Sequence, residues 1–185
     1  MKQVTGWWFG TTDKKLGYGD DREIIIGKTH KVTDDIIPCK NGLHLSKRII
    51  DALSYAPGPV IYKVIGSGII IPHGNPVDKY ACSKRTYVAG GIDVTDTLRL
   101  FARQCALDVL HLWNAPEVVV QYLQTGDESL RAAARAATRD AARVAVWAAT
   151  RAAAWAATRD AAGDAAWDIY NKKLTTMVNE FIKKA

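Results

Sequence analysis

Sulfur, proline and phenylalanine are scarce in this chain: 185 residues hold three cysteines, two methionines, six prolines and three phenylalanines. Cys39, Cys82 and Cys105 are odd in number and irregular in spacing, which argues against a disulfide framework. No run of eighteen apolar residues exists to span a bilayer. The opening Met-Lys-Gln-Val-Thr-Gly-Trp-Trp lacks the apolar stretch of a secretory leader, so the expected location is the cytoplasm. Charge of one sign is lacking too. The net +6 divides into an excess of three cations before residue 127 and three after it, which excludes an acidic DNA mimic. Only residues 131–160, with six Arg against two Asp, form a modestly basic segment. It permits weak attraction to phosphate or an acidic partner. With 48% hydrophobic and 24% charged residues, the composition is that of a globular chain with one ordinary domain or two small ones.

The first ninety residues read as strands and turns. Val4–Phe9 and Arg22–Ile26 are strand candidates, separated by the turn-rich Gly17-Tyr18-Gly19-Asp20. Ser46 is placed to cap a short helix whose face is Ile49, Ile50, Leu53 and Ala56, stopped by Pro57-Gly58-Pro59. Val60–Ile71 is rich in β-branched residues and interrupted at Gly66-Ser67-Gly68, where a turn or bulge is expected. Arg85–Ala89 is a further short strand ending at Gly90-Gly91.

Beyond Gly91 the apolar period changes from 2 to 3.6. Leu98, Phe101, Ala102, Cys105, Val109 and Leu112 share one face of a helix starting near Thr95. Asn114 with Glu117, and Thr125 with Glu128, have the spacing of capping boxes for two further helices. From Arg131 to Ala166, nineteen of thirty-six residues are alanine, and Ala-Ala-Thr-Arg-Asp-Ala-Ala occurs at 136–142 and again at 156–162. Such composition favours helix throughout, with Gly163 as the one break. Arg131, Arg135, Arg139, Arg143, Arg151 and Arg159 fall in one four-residue row that drifts about 40° per step and so spirals around the helix. Trp167, Tyr170, Leu174, Met177, Val178 and Phe181 then follow heptad-like spacing, a face that needs burial on the Leu98–Leu112 helix or on a second copy of the chain. Together with Trp147 and Trp155, the residues Trp167, Leu174, Met177 and Phe181 are the candidate interface. The fold class expected is α+β: residues 1–92 a mixed sheet with one short helix, 93–126 connecting helices, and 127–185 long alanine-rich helices.

Candidate chemistry is sparse. Cys39, His44, Cys82 and His30 are zinc-ligand types, but no paired spacing supports a metal site, and none is expected. Gly17-Tyr18-Gly19-Asp20-Asp21-Arg22 lacks the lysine and following helix of a phosphate loop and fits a hairpin better, though Tyr18, Asp20 and Arg22 remain candidate ligand contacts. His44 and Ser46, two apart in Gly42-Leu-His-Leu-Ser, would face the same side of a strand and share a cleft, and Tyr55 in the following helix is a further candidate ligand contact. Tryptophans interleaved with arginines in the alanine segment could stack on single-stranded nucleic acid, yet packing anchors beside solvated arginines explain them better.

The series Trp7-Trp-Phe, Leu16-Gly-Tyr-Gly-Asp-Asp-Arg, Cys39-Lys-Asn-Gly-Leu-His-Leu-Ser and Asp51-Ala-Leu-Ser-Tyr-Ala-Pro-Gly resembles a domain family without assigned chemistry, encoded by bacteriophages and bacteria. The likeness covers residues 5–112 and extends to Trp113-Asn-Ala-Pro-Glu and Tyr122-Leu-Gln-Thr-Gly; the alanine-rich tail is similar to those that follow this domain, and to toxin-immunity proteins. Gly42–Ser46, Ala52 with Tyr55-Ala56, and Val60-Ile-Tyr-Lys-Val64 are similar, more distantly, to the ADP-ribosyltransferase fold. That family's catalytic glutamate has no counterpart after Arg85–Ala89, since Glu23, Glu117, Glu128 and Glu180 stand elsewhere. Because no paired acid and base stand at credible spacing, the reading preferred is an accessory interaction protein of phage type, with anti-defence as one role, acting in the host cytoplasm without a cofactor or catalytic residue. Its partner would be a host protein or a nucleotide-like small molecule, bound through Tyr18, Asp20, Arg22, His44, Ser46 and Tyr55, and its helices would scaffold or oligomerise it. Membrane and nucleic-acid partners are not expected. The alternative is an atypical NAD-using ADP-ribosyltransferase-like enzyme.

Overall fold

The computed structural model describes residues 2–108, 110–138 and 159–184. The chain forms two compact units, Met1–Thr97 with Asn171–Ala185, and Leu98–Tyr170. The class is α+β, an antiparallel sheet followed by helices.

The first unit holds β1 (Gln3–Gly10), β2 (Lys15–Gly17), β3 (Asp20–Glu23), β4 (Thr29–Lys31), β5 (Leu43–Leu45), α1 (Ile49–Ser54), β6 (Val60–His73) and β7 (Lys79–Asp93). Every strand pair among the described residues is antiparallel, which corrects the expected mixed sheet. The physical reason is connectivity: β6 and β7 follow one another through the short loop Gly74–Asp78, whereas a parallel neighbour needs a long crossover. β1 lies on one side of β6 and β7 on the other, while β4 and β5 pair with successive stretches of β7's far edge. Ser46, just past β5, then exchanges both backbone hydrogen bonds with Trp7 of β1, at 2.8 and 3.0 Å. This pair brings the β5 end of the sheet back to β1, so the sheet curls almost shut. Gly6 makes the approach possible, because a Cβ there would overlap the Ser46 carbonyl oxygen.

The glycines of β6 and β7 bend strands and do not end them. β7 runs through Gly90-Gly91 to Asp93, well past the expected stop at Ala89, with Gly91 the extra residue where Ile61 pairs Ile92 and Tyr62 pairs Gly90. Gly90 sits at φ 102°, and a Cβ on it would strike the Ile61 carbonyl. The register shift between Ser67 and Ile70 places a bulge where Gly66-Ser67-Gly68 suggested one. Side chains from these strands and from α1 fill the interior: Phe9, Leu45, Ile49, Ile61, Tyr62, Val64 and Tyr87 are all buried. The strand expected at Arg22–Ile26 is β3 and starts earlier, because Tyr18 and Gly19 alone form the hairpin loop and pairing resumes at Asp20; Ile25 and Ile26 are exposed. Ser46 does not cap α1. Arg48 is the N-cap residue and makes no side-chain cap, while its guanidinium pairs with Asp51 in the first turn, Nε to Oδ2 at 2.8 Å.

In the second unit, α2 (Thr95–Asp108) begins where the change of period puts it, and no strand follows β7 among the described residues. Val109 lies outside the described residues, and Leu112, in the 3-10 turn Leu110–Leu112, is 71% exposed, so the expected apolar face ends with the helix. α3 (Glu117–Thr125) starts after Pro116 with no side-chain cap, so the Asn114–Glu117 box does not form. Gly126, left-handed at φ 71°, closes α3, and the Arg103 guanidinium occupies the space a Cβ would need. The next turn, Glu128–Leu130, is capped by Asp127 accepting the Ser129 N–H; the Thr125 hydroxyl instead donates to the Gln121 carbonyl. Residues 131–138 are helical, and the C-terminal helix Arg159–Lys184 passes through Gly163 without a break. Trp147, Trp155, Arg139, Arg143 and Arg151 lie outside the described residues.

The heptad face is only partly buried. Leu174 and Val178 are fully buried in the first unit, where the Asn171 side-chain oxygen accepts the Ile50 N–H of α1 at 3.4 Å. Tyr170, in the second unit, meets Phe101 edge-on at 6.3 Å. Met177 is half-buried, whereas Trp167 and Phe181 are 39% and 38% exposed, correcting the expectation that the whole face is covered. Asn171–Ala185, which carries Leu174, belongs to the first unit. A helix face is covered only along the length of its partner, and here full burial is confined to the turn between Leu174 and Val178.

Candidate functional site

A cavity of about 470 Å³ opens in the first unit. Its walls come from β1 (Trp7, Trp8), the β2–β3 hairpin (Leu16, Gly17, Tyr18, Asp20), the 39–46 segment with β5, α1 and the residue that ends it (Ala52, Tyr55) and β7 (Lys79, Arg85). Tyr18, Asp20, His44, Ser46 and Tyr55 all line it; Arg22 does not. Sequence spacing alone relates His44 to Ser46. Bringing the hairpin and α1 to the same cavity is the work of the curled sheet.

Each of these residues is held differently. Tyr18 forms the hairpin tip with φ 56°, next to Gly19 at φ 83°, the pattern of a two-residue turn with both central residues left-handed. Its ring is 93% exposed at the mouth of the cavity. Asp20 accepts three side-chain hydrogen bonds from Arg22, the shortest 2.6 Å from Nη2, and this contact holds its carboxyl below the usual carboxylate range. Arg22 also donates from Nη1 to the Lys31 carbonyl at 3.0 Å, tying the hairpin to β4. Asp20 and Arg22 thus position the loop that carries Tyr18. Tyr55 donates its hydroxyl to Asp78 Oδ2 at 2.5 Å, which, with some burial, pushes its pKa up to about 12. The Lys79 ammonium lies 3.8 Å from the centroid of the Tyr55 ring.

His44 is a neutral donor. Its Nε2 accepts the Cys39 N–H at 3.2 Å, which leaves the proton on Nδ1. Burial first, then the charges of Lys79 and Arg85, push its pKa down to about 4. Cys39 itself is left-handed at φ 66°, with Sγ 3.6 Å from His73 Nε2.

Arg85, on the cavity wall, is the residue the sequence reading passed over. It is 2% exposed. Nε and Nη2 donate to the Tyr87 hydroxyl at 3.0 and 2.6 Å, and Nη1 donates to the His44 carbonyl at 2.6 Å. The guanidinium carbon sits 4.0 Å from the Trp8 ring centroid and 5.1 Å from that of Tyr87. No carboxylate among the described residues lies within ion-pair distance of it. Desolvation lowers its pKa, yet a guanidinium starts so high that it stays charged. The signal was available in principle: Arg85 and Tyr87 are two apart on one strand, so the cation shares the face of a core aromatic. His30, opposite Arg85 in the β4 pairing, is buried edge-on to Tyr87 at 5.4 Å, and neither ring nitrogen has a hydrogen-bond partner. Burial, followed by the charges of Arg22, Lys28 and Arg85, keeps it neutral.

Chemically, this is a cavity of aromatic faces, hydrogen-bond donors and buried cations. Asp20 is the one carboxylate on its wall among the described residues, and Arg22 engages it. Among the described residues no three His, Cys, Asp or Glu side chains are grouped to hold a metal ion, and no helix is long and apolar enough to cross a membrane. No family model, curated protein or solved structure matches the chain.

Proposed function

We propose that the protein is a binding module whose first unit takes a nucleotide-like small molecule into the 470 Å³ cavity, serving as a phage-type accessory protein in the host cytoplasm. The observation that carries this reading is the convergence of aromatic faces (Trp7, Trp8, Tyr18, Tyr55) with His44 and Ser46 on one cavity of a size suited to a small ligand. Aromatic faces suit a planar base, and donors such as the neutral His44 Nδ1–H suit its polar edge. Anti-defence activity would follow if the ligand is a signal of the host. A host protein bound at the same mouth is the competing occupant.

Binding without turnover is favoured over an NAD-using transferase because, among the described residues, no free acid faces the cavity: Asp20 is held by Arg22, and no glutamate lines the wall. The alanine-rich segment is proposed to scaffold or oligomerise the chain. Calorimetry with a panel of nucleosides, nucleotides and NAD tests the binding reading, and the absence of heat with all of them ends it. Labelled NAD incubated with host lysate tests the alternative, since label transferred to protein would make the chain an enzyme. Light scattering of the full chain tests oligomerisation, and a monomer at all concentrations removes it.

A further inference from the structure

Resting on that reading of the cavity, the geometry points to Arg85 as the seat of a phosphate group, so that the ligand is a phosphorylated nucleoside and not a nucleoside. A guanidinium has five N–H groups. Arg85 directs one from Nε and one from Nη2 to the Tyr87 hydroxyl and one from Nη1 to the His44 carbonyl. Two remain without a partner among the described residues, one on each terminal nitrogen, the number that a bidentate phosphate contact takes.

The charge argument is independent of that count. Tyr87, Trp8 and the His44 carbonyl are neutral, so they spread and solvate the positive charge of Arg85 without cancelling it. A buried charge without an opposite charge is costly to keep, and one on a cavity wall is the arrangement expected of an anion site. Lys79 adds a second buried cation to the same wall. Its ammonium rests on the Tyr55 ring, with no carboxylate at ion-pair distance among the described residues. The one acid on the wall is neutralised by Arg22, so the lining carries an excess of positive charge. The exposed Tyr18 ring at the mouth is left to stack on the base.

The test uses the full chain and three kinds of probe: the common nucleoside monophosphates, their nucleosides, and inorganic phosphate at ionic strength matched with chloride. At least one monophosphate should bind roughly 10- to 100-fold more tightly than its nucleoside. Phosphate should raise the melting temperature of the wild-type chain above that in chloride and compete with the monophosphate. Arg85→Gln should erase the difference between monophosphate and nucleoside. Should that variant not fold, Arg85→Lys, which keeps the charge and loses the fork, should weaken the monophosphate alone. Equal affinity for nucleoside and monophosphate overturns the phosphate seat while leaving the cavity reading intact. Binding of neither overturns the cavity reading. In that case phosphate protection of the wild type keeps the seat for another phosphate ester, and its absence overturns the seat as well.

Discussion

The sheet-bearing unit and the helical unit reach order by different routes. In the first, Leu45, Tyr62 and Tyr87 come from different strands and are buried in one cluster, so each holds the others in place. In the second, the hydrophobic residues buried among those described are only Phe101, Val119 and Ala134. Alanine helices form from local propensity and bury little per residue, so they need few partners and specify few. Strands of mixed large side chains need many partners and therefore define a shape. That difference explains why the buried cation and the cavity belong to the first unit. A desolvated guanidinium is tolerated only where surrounding packing fixes its neutral partners.

Substitutions can break or sharpen this contrast. Phe9→Ala should have the largest effect, destabilising the sheet unit by about 3–5 kcal/mol in urea unfolding, because Phe9 is almost wholly buried. A loss below about 1 kcal/mol would mean that the strands are not mutually supporting. Next, Leu174→Ala should lower the stability of the same unit by about 2–5 kcal/mol, although it is more than eighty residues away from β7 in sequence. Phe181→Ala on the same helix should cost about 1 kcal/mol or less, since its ring is partly in water. Equal losses for the two would show that the helix docks along its whole face.

Acid should also act on the sheet unit first. His44 has its pKa lowered from 6.5 to about 4, so between those values the unfolded chain takes up a proton that the folded chain refuses. Stability should therefore be unaffected by His44 above pH 6.5 and fall as the pH drops from 6.5 towards 4. His30, lowered in the same direction, adds to the slope. His44→Gln should flatten the pH dependence of the melting temperature in that window, and an unchanged slope would contradict the buried, neutral His44. The smallest expected effect is at the hairpin tip. Tyr18→Asn should leave the fold intact and stabilise it by about 0.5–1 kcal/mol, because asparagine tolerates the left-handed turn better. It should weaken binding of a nucleotide-like ligand in calorimetry. A gain in stability with unchanged affinity would remove Tyr18 from the site.

Much of the outline was legible along the chain. β1, the bulged β6 and the helix at Thr95 follow from period and turn chemistry, since alternation and 3.6-residue spacing are written locally. The Gly17–Asp20 hairpin follows from glycines that tolerate positive φ. The capping boxes were not reliable. Ser46 has the sequence of a cap, but its backbone pairs with Trp7, and Asp127 displaced Thr125 because its carboxylate reaches the Ser129 N–H. Five candidate ligand residues do line one cavity, yet Arg85 and Lys79 were missed, because nothing local marks a charged strand residue as buried.

By itself, the sequence determined where strands give way to helices, where the backbone must turn, and that the alanine-rich stretch favours helix, because propensity, period and glycine placement act over a few residues. Tertiary structure decided the rest: that the sheet is antiparallel and curls from β5 back to β1 through Ser46 and Trp7, that Asn171, Leu174 and Val178 join the first unit, and that Arg85 is enclosed beside Trp8 and Tyr87. These depend on pairings between residues tens of positions apart. Their free energy comes from burial and from hydrogen bonds whose partners are assembled only when the sheet has curled.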